Sequence, residues 1–135
     1  MICFTEKALR DIKNHGYREA PKEACGILAG APGTKAVSRI FPCANVDDNP
    51  LSAYTIEPEE LLRRITEIED SHELELIGFY HSHPFSAPMP STVDVERATW
   101  DGFCYAIYSL TEDEVRCWRW NEAEGRFTEE DVRIM

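Results

Sequence analysis

The stretch that most constrains the fold runs from residue 74 to residue 94, where the apolar segment LELIGFY is followed by HSHPFSAPMPSTVD. The apolar segment is rich in branched and aromatic residues, which is typical of a buried β-strand. Because side chains alternate between the two faces of a strand, we expect His81 and His83 to project from one face, close enough to hold one ion. Pro84 favours an extended His83, so the strand is expected to end there in a loop.

The loop after the histidines is stiffened by Pro88 and Pro90 and leads into a predicted short helix. Ser91, followed three residues later by Asp94, is typical of a first helical turn. An aspartate in that turn can face the strand end and complete a set of two histidines and one carboxylate. Ser-x-x-Asp is also an ordinary helix N-cap, and HxH also occurs on polar strand faces, so the indication of a metal site comes from the combination.

A further carboxylate, Glu23, lies just before the short apolar strand CGILAG at residues 25–30, two residues ahead of Cys25. Taken alone, Glu23 is interpreted as a surface carboxylate in a loop. It becomes functionally significant if its strand lies beside the strand that carries His81.

Length and composition predict one globular domain over residues 1–135, with 43% hydrophobic and 29% charged residues. No apolar run approaches the roughly 20 residues that cross a bilayer, and no signal sequence opens the chain, so we expect a cytoplasmic protein with no membrane partner. Five cysteines without a CxxC pair indicate reduced thiols rather than a disulfide scaffold or a cysteine zinc site.

The charge balance argues against a nucleic-acid partner. The chain has 14 Lys and Arg against 25 Asp and Glu, a formal net charge of −11, and phosphate binding depends on basic side chains that displace counterions. The same charge allows a protein partner with a basic face, or serves only solubility.

The other segments alternate between helical and strand patterns. Thr5 is expected to cap a helix that runs to about Asn14 and stops at Gly16. The strand at 25–30 and a strand at 37–41 would form a hairpin, followed by an irregular loop at 42–52 and a short strand at 53–56.

In the second half, Pro58 is expected to begin a helix with an apolar face that packs in the core. Segments 103–110 and 114–120 form a predicted hairpin, and residues 127–134 add an edge strand. The order of elements predicts an α/β fold with a mixed, largely antiparallel, curved sheet flanked by helices. The apolar face of the helix predicted to begin at Pro58 comprises Leu61, Leu62, Ile65 and Ile68.

At this point the residues resemble a known family. Glu23, then HSHP at 81–84, six residues, Ser91, two residues and Asp94 resemble the JAMM motif of the MPN+ (Mov34/PAD-1) metallopeptidases, and the likeness extends over nearly the whole chain. The resemblance implies an MPN/JAB1-like fold with cytidine-deaminase-like layering. It also implies Zn²⁺ held by His81, His83 and Asp94 with water as fourth ligand, Glu23 as general base, and Ser91 as support for the water and the developing oxyanion.

The resemblance implies hydrolysis of a peptide or isopeptide bond after the C-terminal glycines of a ubiquitin-like protein. Asp94 is followed by one short helix and then a strand, which leaves no room for the large second insertion of eukaryotic deubiquitinases. The chain therefore looks like the compact prokaryotic members, some of which process ubiquitin-like sulfur carriers, and we expect a partner with a Gly-Gly tail. The carrier and the bond type stay open.

Two further points stay open at this stage. Ser91 could cap the helix or support the water, two uses that would compete for one hydroxyl. A homo-oligomer is compatible with the sequence, and Trp118 and Trp120, expected to be exposed, are its candidate interface residues.

Other classes fit the sequence less well. An MPN-type scaffold that binds protein partners without chemistry is the main alternative, but such relatives usually lack several ligands that are present here. An amidohydrolase barrel also uses HxH but needs on the order of 250 residues. A zinc deaminase is excluded because H-x-E and P-C-x-x-C are absent.

Overall fold

The computed structural model describes residues 1–135 and contains three helices and nine strands. In chain order these are β1 (Ile2–Phe4), α1 (Glu6–Glu19), β2 (Cys25–Gly30), β3 (Ala36–Val37), β4 (Arg39–Cys43), α2 (Pro58–Ser71), β5 (Glu75–His83), α3 (Thr92–Arg97), β6 (Cys104–Ser109), β7 (Glu114–Asn121), β8 (Arg126–Glu130) and β9 (Val132–Ile134).

The strands form a six-stranded sheet in the order β4-β2-β5-β6-β7-β8 and a three-stranded sheet in the order β3-β1-β9. In the larger sheet only β5 and β6 run parallel, and every other neighbouring pair is antiparallel. This arrangement confirms the predicted mixed, largely antiparallel sheet. Strand β5 lies between β2 and β6, so the strand that ends in the two histidines is internal to the sheet.

Both faces of the larger sheet are covered, which explains why β2, β5 and β6 are continuous apolar runs rather than alternating ones. On one face, Leu28 and Tyr80 pack with β1 and α1 in one hydrophobic cluster. On the other, Ile27 and Phe79 pack with Ile68 of α2 in a second cluster. Alternation along β5 therefore directs the odd-numbered residues near its end towards the α2 side.

Helix α1 begins as predicted, with the Thr5 hydroxyl accepting the Ala8 N–H at 3.0 Å. The predicted stop at Gly16 is wrong, because the helix continues to Glu19. A Cβ at position 16 would lie 3.0 Å from the Tyr108 ring and 3.4 Å from the Ser82 Cβ. Gly16 therefore allows the helix to approach the sheet closely instead of ending it.

The predicted start of α2 at Pro58 is confirmed, but one residue of its apolar face is misassigned. Ile68 is buried, whereas Leu62 is 68% exposed. The expected strand at 53–56 is also wrong, since only a single bridge joins Asn45 and Ile56. The backbone of this segment is instead bound by the side chain of Asn45.

Two predictions near the C-terminus are wrong, one about the exposure of β7 side chains and one about the edge strand. Trp118 and Trp120 are not exposed but only 9% and 5% accessible. The Trp118 indole N–H donates to the Pro88 carbonyl, and the Trp120 ring packs against Phe127. The single edge strand expected at 127–134 is two strands, β8 on the larger sheet and β9 on the smaller.

None of the helices combines the length and the apolarity that crossing a bilayer requires.

Candidate metal centre

The end of β5 places two imidazoles side by side on the α2 face of the sheet. The Nε2 atoms of His81 and His83 lie 3.1 Å apart, and the two residues are only 1% and 3% exposed. The Nδ1–H of His83 donates to the Ala87 carbonyl at 2.8 Å. In the neutral imidazole this bond keeps the proton on Nδ1 and leaves the Nε2 lone pair of His83 available to bind a cation.

Helix α3 brings a carboxylate to the same point. Asp94 is the third residue of α3, and its Oδ2 lies 3.1 Å from the Nε2 atom of each histidine. The same oxygen accepts the backbone N–H of Ser91 at 2.9 Å, and the Ser91 hydroxyl accepts the backbone N–H of Asp94 at 3.0 Å. This reciprocal capping box fixes the Asp94 side chain, because its rotation would break the cap.

Glu23 reaches the group from the neighbouring strand. It lies two residues before Cys25, which pairs with His81 in the antiparallel register of β2 and β5. Glu23 is 5% exposed, and its Oε1 atom is buried without a hydrogen-bond partner. One ligand atom from each of Glu23, His81, His83 and Asp94 lies within 4.8 Å of the others.

The donor set fits a zinc ion. The two Nε2 atoms and the Asp94 Oδ2 form a triangle with edges of 3.1 Å. A tetrahedral ion with bonds of 2.0–2.1 Å would separate its ligands by about 3.3 Å, so little adjustment is needed. The unpartnered Glu23 oxygen supplies a carboxylate beside this triangle, where a catalytic zinc site requires a base outside the ligand set.

The surroundings shift the pKa values of the Asp94 and Glu23 carboxyl groups in opposite directions. Burial opposes ionisation of Asp94, but the charge of His81 and hydrogen bonds from His81 and His83 lower the pKa of Asp94 well below its usual range. Burial raises the pKa of the Glu23 carboxyl, and His81 and His83 only partly offset that rise. Such a pair suits a permanent anionic ligand on one side and a proton acceptor on the other.

The pKa of His83 depends on the same contacts. Burial favours its neutral form, but its hydrogen bonds to Asp94 and to the Ala87 carbonyl outweigh burial and raise the pKa of His83. A cation at this point would compete with the proton for His83, which is the usual competition at a histidine metal site.

The structure thus brings four of the five sequence-predicted site residues together and places the fifth, Ser91, at the N-cap of α3. The two uses considered for the Ser91 hydroxyl do not exclude each other. Capping uses an oxygen lone pair, and a hydroxyl retains one O–H to donate.

Sequence reasoning missed three residues that hold the group in place. The Tyr54 ring stacks on His81 at 4.4 Å between centroids. The Ser82 hydroxyl accepts the Ala24 N–H at 2.8 Å from the opposite face of β5, and Arg97 of α3 pairs with Asp47. Alternation along HSH could have identified Ser82, but the contacts of Tyr54 and Arg97 depend on tertiary folding.

A largely apolar cavity of about 290 Å³ adjoins the metal centre and shares His81 and Asp94 with it. Its walls come from residues 54–56, from α2, from α3 with the residues that follow it, and from the α2 face of the sheet. Other lining residues are Tyr54, Ile56, Leu61, Phe79, Val93 and Trp100.

A family model described as prokaryotic homologs of the JAB domain matches residues 5–121. The desampylase of Haloferax volcanii is 43% identical over 91 residues, which cover 67% of this chain and 65% of that protein. The probable TtuB-protein conjugate cleaving protease of Thermus thermophilus is 39% identical over 92 residues, 68% of this chain and 60% of that protein. The chain thus matches less than two thirds of the length of these two relatives.

The CysO-cysteine peptidase of Mycobacterium tuberculosis is 33% identical over 124 residues, which cover 90% of this chain and 82% of that protein. Among solved structures, a protein from Desulfitobacterium hafniense matches with a TM-score of 0.88 and 26% identity, covering 100% of this chain and 93% of that one. A JAB1/MPN domain protein from Archaeoglobus fulgidus matches with a TM-score of 0.65 and 18% identity, covering 100% and 99%, which supports the fold alone.

Proposed function

This chain belongs to the family of prokaryotic homologs of the JAB domain, and from that premise we propose that it is a zinc-dependent peptidase acting on a protein carrier. It cuts the amide bond after the C-terminal glycines of a ubiquitin-like or sulfur-carrier protein. The observation that carries the proposal is the buried group of His81, His83, Asp94 and Glu23. The names of the desampylase, conjugate-cleaving and CysO-cysteine relatives support the substrate class.

In this proposal His81, His83 and Asp94 hold the zinc ion. When bound, zinc supplies a Lewis acid that polarises the scissile carbonyl and lowers the pKa of a water to near neutrality. Asp94 contributes the negative charge of the ligand set and stays ionised because its pKa is held low.

Glu23 acts as the general base. Its buried carboxylate takes a proton from the attacking water and delivers it to the leaving amine, so the proton is conserved through the cycle. Burial raises the pKa of Glu23, which makes it a better proton acceptor than an exposed glutamate. Ser91 keeps its O–H for the developing oxyanion while its oxygen caps α3.

The burial of the group supports a slender substrate. The two histidines and Glu23 are at most 5% exposed, so a folded surface cannot reach them. A tail that ends in two glycines has no side chains at the scissile bond and can enter where bulkier residues would collide. Because this chain has a net charge of −11, a basic face on the partner would favour its docking outside the buried site.

A cytoplasmic location is part of the proposal. All five cysteines are unpaired, which suits a reducing compartment.

A catalytically silent scaffold is disfavoured by the buried donor set. The Glu23 Oε1 atom is buried without a hydrogen-bond partner, which costs free energy, and a protein-binding role needs no such group. A scaffold would also contain no stoichiometric zinc, so metal analysis separates the two functions.

The proposal is tested with a ubiquitin-like carrier joined after Gly-Gly to a short peptide. We expect purified protein to contain about one zinc per chain and to release the carrier. Removal of the zinc with a chelator should abolish this release. Glu23→Gln should keep the zinc and lower kcat by about 10²-fold to 10⁴-fold, leaving a residual rate. Glu69→Gln, a change of the same chemistry at an exposed position of α2, should alter neither zinc content nor kcat. Zinc-loaded protein whose cleavage rate is the same with Glu23→Gln would contradict the mechanism.

A further inference from the structure

The N–H and carbonyl of the general base make no hydrogen bond to the sheet, although the next residue, Ala24, is bonded to Ser82 of β5. Strand β2 begins at Cys25, so Glu23 has no ladder partner. Its N–H donates to the Pro50 carbonyl at 2.7 Å, and its own carbonyl accepts the Asn45 Nδ2–H at 3.0 Å. Both partners belong to residues 44–57, the loop that joins β4 to α2, and we call this segment the 44–57 loop.

Within the 44–57 loop, Asn45 makes hydrogen bonds with both ends of its amide. Its Nδ2 donates to the Ala53 carbonyl at 3.1 Å as well as to Glu23, and its Oδ1 accepts the N–H groups of Asp47 and Thr55, each at 3.0 Å. The two donated hydrogens and two accepted ones use the full capacity of an amide side chain. One side chain therefore both closes the loop and binds the base-bearing residue.

The closed loop also reaches the ligand-bearing elements. The Tyr54 ring stacks on His81, and Asp47 pairs with Arg97 of α3, the helix that carries Asp94. Pro50, which accepts the Glu23 N–H, lies inside the segment that Asn45 closes. The position of Glu23 relative to the ligands thus depends on the shape of this loop.

We propose that Asn45 is a positioning residue for Glu23: it fixes the 44–57 loop and, through the Glu23 carbonyl and the Pro50 carbonyl, the backbone of the general base. The inference rests on the proposed function because it takes Glu23 as the base. Asn45 itself takes no part in proton transfer and binds no zinc.

Two variants remove the bond from Asn45 to Glu23, one without and one with the two hydrogen bonds that Asn45 accepts. Asn45→Ala removes all four hydrogen bonds, whereas Asn45→Asp keeps an acceptor for Asp47 and Thr55 and loses both donated bonds, to Glu23 and to Ala53. Both should lower kcat about tenfold to a hundredfold, the cost of a small misplacement of a catalytic group, with KM changed less than about twofold. Asn49→Ala, in the same loop but exposed and contributing only backbone groups to its hydrogen bonds, should leave kcat unchanged.

A double-mutant cycle gives a readout that a merely structural role would not produce. If Asn45 acts through Glu23, Asn45→Ala should cause no further loss of kcat in a Glu23→Gln background, and zinc content should stay at about one per chain in every variant. An equal loss in both backgrounds, or a lower zinc content, would overturn the proposal.

Amide hydrogen exchange tests the same claim without any substrate. Asn45→Ala should speed exchange of the Glu23 N–H by at least about tenfold, while the Ala24 N–H, bonded to the Ser82 hydroxyl, stays protected. Unchanged exchange at Glu23 overturns the role of Asn45 even if the protein cleaves the carrier. Inactivity of the unsubstituted protein on every carrier fusion would instead contradict the proposed function and leave the exchange result to decide on Asn45.

Discussion

At the scale of single residues, the site depends on groups that are fixed before any ligand arrives. Asp94 is locked by a capping box, His83 by the Ala87 carbonyl, and Glu23 by two backbone hydrogen bonds. Preorganised groups of this kind need no reordering during the reaction, which is the main source of electrostatic catalysis. HxH alternation and a helical first turn are local patterns, so the sequence predicted that His81, His83 and Asp94 could meet, whereas Glu23 was added only by the resemblance to a known family.

Ser91 offers a test of two functions in one hydroxyl. Ser91→Ala should lower the free energy of unfolding by about 1 kcal/mol through loss of the α3 cap. If the hydroxyl also supports the oxyanion, kcat should fall by about 10²-fold to 10³-fold. Thr5→Ala removes an equivalent cap of α1, also bonded at 3.0 Å, and should cost similar stability with no change in kcat. Equal kcat values for the two variants would restrict Ser91 to capping.

His15 should make stability depend on pH. It is buried with its Nδ1 atom 2.8 Å from the Tyr80 hydroxyl, and burial together with the Arg18 charge lowers the pKa of His15, against a smaller opposing effect of Glu19. The unfolded chain, with a histidine pKa of 6.5, then binds the proton more tightly than the folded one. Stability should therefore be complete above pH 6.5 and fall as the pH drops below it.

Urea unfolding between pH 7.5 and about pH 5 measures that slope. His15→Gln, which keeps a polar partner for Tyr80, should flatten the slope even if it lowers stability overall. A slope that is the same in both proteins would show that other groups cause it.

At the scale of elements, sequence reasoning succeeded where a pattern is local and failed where packing decides. The apolar runs of β2 and β5 and the start of α2 at Pro58 were predicted because burial on two faces and a first-turn proline leave direct signatures. Gly16 was misinterpreted as a helix stop because its close contact with Tyr108 is a tertiary fact. The 44–57 loop was expected to contain a strand because the bonds made by Asn45 cannot be inferred from residue type.

Gly78 should be required where β5 meets β6. A Cβ at position 78 would lie 2.0 Å from the Cys104 carbonyl oxygen, which belongs to the neighbouring backbone and cannot rotate away. Gly78→Ala should lower the free energy of unfolding by about 3 kcal/mol or more, at the upper end for overpacking.

Gly33→Ala is the matched control for Gly78. Position 33 has open space but a φ of +79°, so an alanine there should cost only about 1 kcal/mol of backbone strain. Chemical denaturation measures the free energy of unfolding of both variants. A smaller loss of this free energy for Gly78→Ala than for Gly33→Ala would contradict the close approach of β5 and β6.

At the scale of the whole molecule, the metal centre joins parts that are distant in sequence. Glu23 precedes β2, the histidines end β5 and Asp94 lies on α3, so zinc bound there should stabilise the folded state as a whole. A ligand at 100 times its dissociation constant adds about 2.7 kcal/mol. Thermal unfolding should show this rise for the unsubstituted protein and for Glu23→Gln, but not for Asp94→Asn, which removes the charged ligand. An undiminished zinc effect with Asp94→Asn would remove Asp94 from the ligand set.

Mass spectrometry of the carrier released in water enriched in ¹⁸O tests both the role of Glu23 and the position of the scissile bond. Hydrolysis at this site predicts a carrier that ends at its second glycine and carries one ¹⁸O atom from the attacking water. The label should appear with the zinc-loaded protein and should form about 10²-fold to 10⁴-fold more slowly with Glu23→Gln that retains its zinc. Equal labelling by Glu23→Gln, or release of the carrier at another residue, would contradict the assignment of Glu23 and of the scissile bond.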